Sequence, residues 1–162
     1  FDPNLRLSLW KTPEEARKRI LYGMKQCDIM KISEEEVAFV SAQESLEEGV
    51  SFIRDNSDIK ILFVTLGNKG SIAYYKDEKI YCGGIHQEHV VDTTGAGDTF
   101  CGAVLSRILE LGTDALTEKD IREMLLFANA AASIVVTRKG ALCSMPEPEE
   151  IRAASSLIDK VL

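Results

Sequence analysis

The chain has 162 residues, 45% of them hydrophobic, which suffices for one domain with a sizeable core and gives no sign of a second. A net charge of -7 argues against a nucleic-acid surface, and no apolar run approaches the roughly 20 residues that a membrane span needs. Cys27, Cys82, Cys101 and Cys143 are widely spaced, form no C-x-x-C pair and have apolar neighbours, so they read as small core residues in a reducing, cytoplasmic setting. His86 and His89 share one stretch without a Cys or carboxylate cluster and read as strand or loop residues.

In chain order, Phe1 to Arg6 reads as the end of a strand running into a loop with nothing before it, so the chain is expected to be part of a longer protein. Thr12-Pro13-Glu14-Glu15 predicts a helix start, with proline in the first turn, acids at the positive end, and Ala16, Ile20 and Met24 as the apolar stripe. Asp28 to Ile32 predicts a short buried strand. Ser33 and Glu36 then have capping-box spacing before Val37, Phe39 and Val40, and Ser45 and Glu48 repeat it before Leu46, Val50 and Ile53. The near-continuous apolar run from Ile59 to Leu66 suits a strand covered on both faces, and Gly67 to Gly70 ends it in a turn. Ser71 to Lys76 and Lys79 to Gly83 alternate about a polar turn, as in a hairpin at a sheet edge. Such strand and helix alternation implies an α/β fold with a parallel sheet, which binds ligands beyond the carboxyl ends of its strands.

Val90 to Leu105 holds the expected chemistry. Val90-Val91 reads as a strand end, Gly95 and Gly97 as a turn, and Phe100, Val104, Ile108 and Leu111 as a helix face. The first amides of such a helix lack internal partners, and glycine lets a phosphate approach them. Asp98 would repel that phosphate. It is either a base that takes the proton of an attacking hydroxyl or a first-turn acid that stabilises the helix dipole. Dinucleotide and P-loop patterns fit poorly, because position 100 is Phe and no Lys-Ser or Lys-Thr pair follows Gly70 or Gly97. Thr117-Glu118-Lys119-Asp120 starts another helix carrying Ile121, Leu125, Ala128, Ala132 and Val135. Asn129 within it is either satisfied by backbone or placed near a base. Glu147 to Leu162 predicts a closing helix.

Asp92-Thr93-Thr94-Gly95-Ala96-Gly97-Asp98-Thr99-Phe100 resembles the DTxGAGD motif of the ribokinase-like (PfkB) carbohydrate kinases. Phe1-Asp2-Pro3-Asn4-Leu5-Arg6 with Leu9-Trp10 is similar to a stretch found near mid-sequence in the fructokinases of that family. The resemblance implies a ribokinase-like parallel-sheet αβα sandwich, with residues 1-162 as a single partial domain, the C-terminal ATP-binding part, and an N-terminal sugar-binding half elsewhere. It implies Asp98 as catalytic base, Gly95, Ala96 and Gly97 as the anion hole, and Asp92 near a monovalent cation such as K⁺. Lys31 to Glu36 resembles the family's N-x-x-E motif with Ser33 in place of asparagine, which makes Glu36 a candidate link to Mg²⁺; the capping box alone also accounts for it. Thr65, Gly67 and Gly70 match the turn that lies along ATP, and Phe127 to Ala131 resembles the nucleotide-side helix, which places Asn129 by the base. Thr137 to Ala141 is similar to a turn whose carbonyls help hold a cation. Arg6 is a contact to substrate or phosphate, or a turn residue paired with Asp2. The implied reaction phosphorylates a sugar hydroxyl with ATP, fructose giving fructose 6-phosphate. The alternatives are another ketose, 2-keto-3-deoxygluconate, or a nucleotide-binding piece inactive alone. The expected partners are sugar and ATP, with a homodimer allowed, and no nucleic acid or membrane.

Overall fold

The structure, a computed structural model, describes the backbone of residues 1-158 and the side chains of residues 1-155. Its elements follow the order α1 (Pro13–Met24), β1 (Ile29–Ser33), α2 (Glu34–Ser41), α3 (Leu46–Asp55), β2 (Ile61–Thr65), β3 (Gly70–Tyr75), β4 (Glu78–Gly83), α4 (Ala96–Leu111), α5 (Glu118–Val135) and α6 (Pro148–Ile158). The strands form one sheet in the order β1-β2-β3-β4, which leaves the predicted hairpin at an edge. β1 and β2 run parallel, with Ile29 opposite Ile61 and Ser33 opposite Thr65. The fold is therefore α/β, as expected.

Local chemistry starts most of the helices. Thr12, Ser33, Ser45 and Thr117 each accept a hydrogen bond from the backbone N-H three residues on, which satisfies a donor that has no carbonyl inside the helix. The boxes at Ser33 and Thr117 are complete. At Ser45 the return bond differs: Glu48 accepts from the Ser45 hydroxyl at 3.0 Å.

The chain resolves into two compact units, and the β3-β4 hairpin belongs partly to each. The first comprises Phe1–Leu66 and Ala73–Lys79. Its core joins Ala16, Ile20 and Met24 of α1 to Met30 and Ile32 of β1, Val37 and Val40 of α2, Val50 and Ile53 of α3 and Ile61 to Val64 of β2. Each large aliphatic side chain among these contributes about 1.5–3 kcal/mol by leaving water. Beside β1, the Phe1 nitrogen donates to Ile29 O and Lys31 N donates to Phe1 O, so the first residue is held as a strand end would be.

The second unit comprises Gly67–Ile72 and the chain from Ile80 onward. Here α4 packs along α5, and α6 lies against α5. The buried face of α4 is Thr99, Phe100, Ala103, Val104 and Ile108, while Ile121, Met124, Leu125, Ala128, Ala131 and Val135 are buried on α5. The run of small residues on α5 allows that close helix packing.

Several expectations need correction. Leu111 is exposed, because Gly112 at φ 78° ends α4 and Ala103 takes the inner position instead. Val90 and Val91 form no strand end; both are exposed, and the amides of Val91 and Asp92 both donate to Val136 O beyond α5 rather than to a ladder. Of the cysteines only Cys82 is buried, Cys27 and Cys101 are partly covered and Cys143 is exposed, because apolar sequence neighbours do not decide which way a side chain faces. The last four residues of the expected closing helix lie outside the described residues.

Gly70 has φ 108°, and a Cβ there would stand 2.2 Å from Cys82 O and 2.5 Å from Gly84 N. Gly70→Ala should therefore cost about 3 kcal/mol in a urea melt, against about 1 kcal/mol for removing the Thr117 cap by Thr117→Ala. Equal costs would mean that the two backbones separate freely.

Candidate functional site

α4 starts differently from the helices capped by Ser or Thr. Its N-cap is Gly95, at φ 83°, and no side chain caps it. A Cβ at Gly95 would meet Ala141 Cβ at 3.2 Å, so both conformation and neighbour require glycine. Ala96 N donates to Thr93 O and Thr99 N to Gly95 O, while the amides of Gly97 and Asp98 fall in the first turn, where no helical carbonyl precedes them. Free amides at the positive end of a 16-residue helix suit an anion. The Asp98 carboxylate stands exposed on this turn and makes no hydrogen bond or ion pair with the described residues.

Asp92 fixes the turn. Its Oδ1 accepts from Thr94 N at 2.9 Å and its Oδ2 from Gly140 N at 3.2 Å. The bonds from Thr94, then that from Gly140, hold its carboxyl below the usual carboxylate range. Gly140 itself needs φ 94°. The Ser144 hydroxyl reaches the carbonyls of both Gly140 and Ala141, the latter at 2.7 Å. Sequence reading missed Ser144, since a serine three or four residues past a glycine has no signature of its own. Arg138 pairs with Glu150 of α6 at 2.6 Å, which gives that conspicuous cation a partner within the protein.

Around Gly67 to Gly70 the backbone is tied to its own unit. Tyr81 donates its hydroxyl to Lys69 O at 2.7 Å, and Gly84 N donates to the same carbonyl at 3.1 Å. Gly67 has φ 60° and open space where a Cβ would stand. Gly70, in contrast, is filled on that side by the backbone of residues 82-84. Asn129 is hydrogen-bonded within its own unit. Its amide nitrogen donates to Cys82 O and Gly83 O at 3.2 Å each, and its oxygen accepts from Ser71 at 2.9 Å. Buried at 7% exposure, it fastens α5 to the glycine crossing.

In the first unit the parallel register sets Ser33 beside Thr65 at the carboxyl ends of their strands. Glu36 follows in the first turn of α2 with both oxygens engaged: Oε2 accepts from Ser33 N at 2.8 Å and Oε1 from Leu5 N at 2.6 Å. The capping box thus extends to the loop that carries Arg6. Arg6 is exposed and has no hydrogen bond or ion pair with the described residues, so the turn pairing with Asp2 does not form.

The donors present fit a nucleotide phosphate at the α4 turn. For a divalent cation the described residues hold no group of three or more His, Cys, Asp or Glu side chains. An ion such as Mg²⁺, which keeps several waters and leans on phosphates, fits this set better than one needing a full protein cage.

Residues 1–148 match the pfkB family carbohydrate kinases. The chain is 42% identical over 153 residues to fructokinase-1 of Zea mays, covering 93% of this chain and 46% of that protein. Among solved structures, a double mutant of the fructokinase from Vibrio cholerae O395, in fructose, ADP and potassium ion bound form, superposes with a TM-score of 0.85 at 33% identity, over 94% of this chain and 48% of that one. Aminoimidazole riboside kinase from Salmonella enterica, complexed with aminoimidazole riboside and an ATP analog, gives 0.82 at 27% identity over 96% and 51%. The chain spans about half the length of the curated relatives it matches.

The Asp92 tie has a pH signature. A carboxyl held below its ordinary value of about 3.9 contributes stability that is present above that value and is lost as pH falls through the folded-state value. Asp92→Asn should therefore lower Tm at neutral pH, and the two curves should converge in acid. Parallel curves down to the acid limit would show that the carboxylate holds nothing.

Proposed function

Since the chain belongs to the pfkB family of carbohydrate kinases, we propose that the protein carrying it transfers the γ-phosphoryl group of ATP to a primary hydroxyl of a sugar, with fructose the first substrate and fructose 6-phosphate the product. The observation that carries this reading is the uncapped turn of α4, with Asp98 exposed on it and unpaired among the described residues. The sugar hydroxyl attacks the phosphorus, and Asp98 accepts its proton as the P-O bond to the leaving ADP breaks. Backbone amides of Gly95 and Gly97 take up charge on the transferred oxygens while Ala96 N, which donates to Thr93 O, keeps the turn in shape, which stabilises the transition state at little cost in rearrangement.

Asp92 serves this reaction by holding the turn to Gly140, and the backbone carbonyls of residues 137-141 would hold a monovalent cation such as K⁺ beside it. Glu36 would orient the water shell of a Mg²⁺ ion, which would supply neutralisation of the phosphate charge when bound. Thr65 and Gly67 lie along the nucleotide, whereas Gly70 and Asn129 act one step back by holding the glycine crossing in place. Fructose is favoured because fructokinases are among the relatives, at 42% identity. The likeness to aminoimidazole riboside kinase shows the same scaffold in an enzyme named for another sugar, so a substrate panel is the deciding assay.

In the full-length protein, Asp98→Asn should lower kcat about 10³-fold while the ATP dissociation constant stays within about threefold. Loss of both together would assign Asp98 to structure. Gly97→Val should weaken ATP binding about tenfold by setting a side chain among the amides. An unchanged ATP affinity in that variant removes the anion-hole role.

A further inference from the structure

Lys31 lies in the middle of β1 at 8% exposure, between Met30 and Ile32, which are fully buried. A lysine there is tolerated only with a partner. Its Nζ sits 3.3 Å and 3.4 Å from the two carboxylate oxygens of Asp2. Burial pushes the Asp2 carboxyl up, and Lys31 opposes that shift. The same carboxylate accepts from Asn4 N at 3.3 Å, and Asn4 adopts the left-handed φ of 44°. One residue later Leu5 N is held by buried Glu36. Residues 2 and 5 are thus tied to β1 and α2, and the bend between them is fixed at both ends. Arg6 comes next, exposed and without a partner among the described residues, in a chain of net charge -7. An exposed guanidinium on a short, doubly anchored loop suits a phosphate, which it meets with two parallel donors.

We propose that Lys31 is a positioning residue that acts through Asp2 to set the loop from Phe1 to Arg6, so that the Arg6 guanidinium is presented to a phosphate group of the substrates. This rests on the kinase reading. It does not make Lys31 a ligand: the ammonium is covered and already paired, and Arg6 is the group that reaches solvent.

The test uses the full-length protein with Arg6→Ala, Lys31→Met, Asp2→Asn and the combinations Arg6→Ala/Lys31→Met and Asp2→Asn/Lys31→Met. Arg6→Ala and Lys31→Met should each lower kcat/KM roughly tenfold, and Lys31→Met should add nothing once Arg6 is gone. Asp2→Asn/Lys31→Met, which leaves no buried charge unpaired, should recover Tm relative to Lys31→Met while kcat/KM stays low. Additive losses of Arg6 and Lys31, or activity that returns with Tm, overturns the inference. Deuterium exchange over residues 1-6 needs no turnover and separates the two readings. Faster exchange in Lys31→Met supports the tether even if the wild type phosphorylates no sugar, a result that would sink the kinase reading alone. Unchanged exchange overturns the tether.

Discussion

Backbone amides without internal partners dominate this chain's design. Every helix begins with donors that no helical carbonyl can satisfy, and at α1, α2, α3 and α5 a Ser or Thr side chain meets one of them. At α4 no side chain does so, because Gly95 occupies the cap in a left-handed conformation pressed against Ala141. The turn is nonetheless held firmly. Asp92 gives one oxygen to Thr94 and the other to Gly140, so the turn is fixed from outside while the amides of Gly97 and Asp98 face no helical carbonyl. Two aspartates six residues apart thus have opposite environments, one engaged by amides and one exposed and unpaired among the described residues.

Elsewhere, polar side chains hold backbone in place. Asn129 connects α5 to the carbonyls of Cys82 and Gly83 and to Ser71. The glycines that cross there leave no room for a side chain: a Cβ at Gly84 would stand 2.2 Å from Asn68 O. Glu36 completes its own helix cap and also secures Leu5. The reason for these bonds is energetic. A buried amide or carboxylate left without partners costs more than most single contacts contribute, so each of these side chains is satisfied within the protein.

The relatives place this architecture among carbohydrate kinases, and the likeness covers nearly all of the chain while spanning about half of the matched proteins. Such likeness carries fold and family. Which sugar enters depends on side chains that face the substrate, and enzymes named for fructose and for aminoimidazole riboside share the scaffold.

Local signals were legible in the sequence wherever the physics is local. The caps at Thr12, Ser33, Ser45 and Thr117, the parallel pair of apolar strands, the edge hairpin and the glycine turn before α4 all follow from residues within a few positions of each other. The motif at Asp92 to Asp98 marked the turn for the same reason. Only the tertiary structure decided what lies opposite each group. Val136 O captures the amides of Val91 and Asp92 and prevents a strand there, Gly140 anchors Asp92 from 48 positions away, and Asp2 reaches Lys31 across 29. A hydrogen bond depends on distance and angle, and spacing along the chain sets neither once the partners belong to different elements.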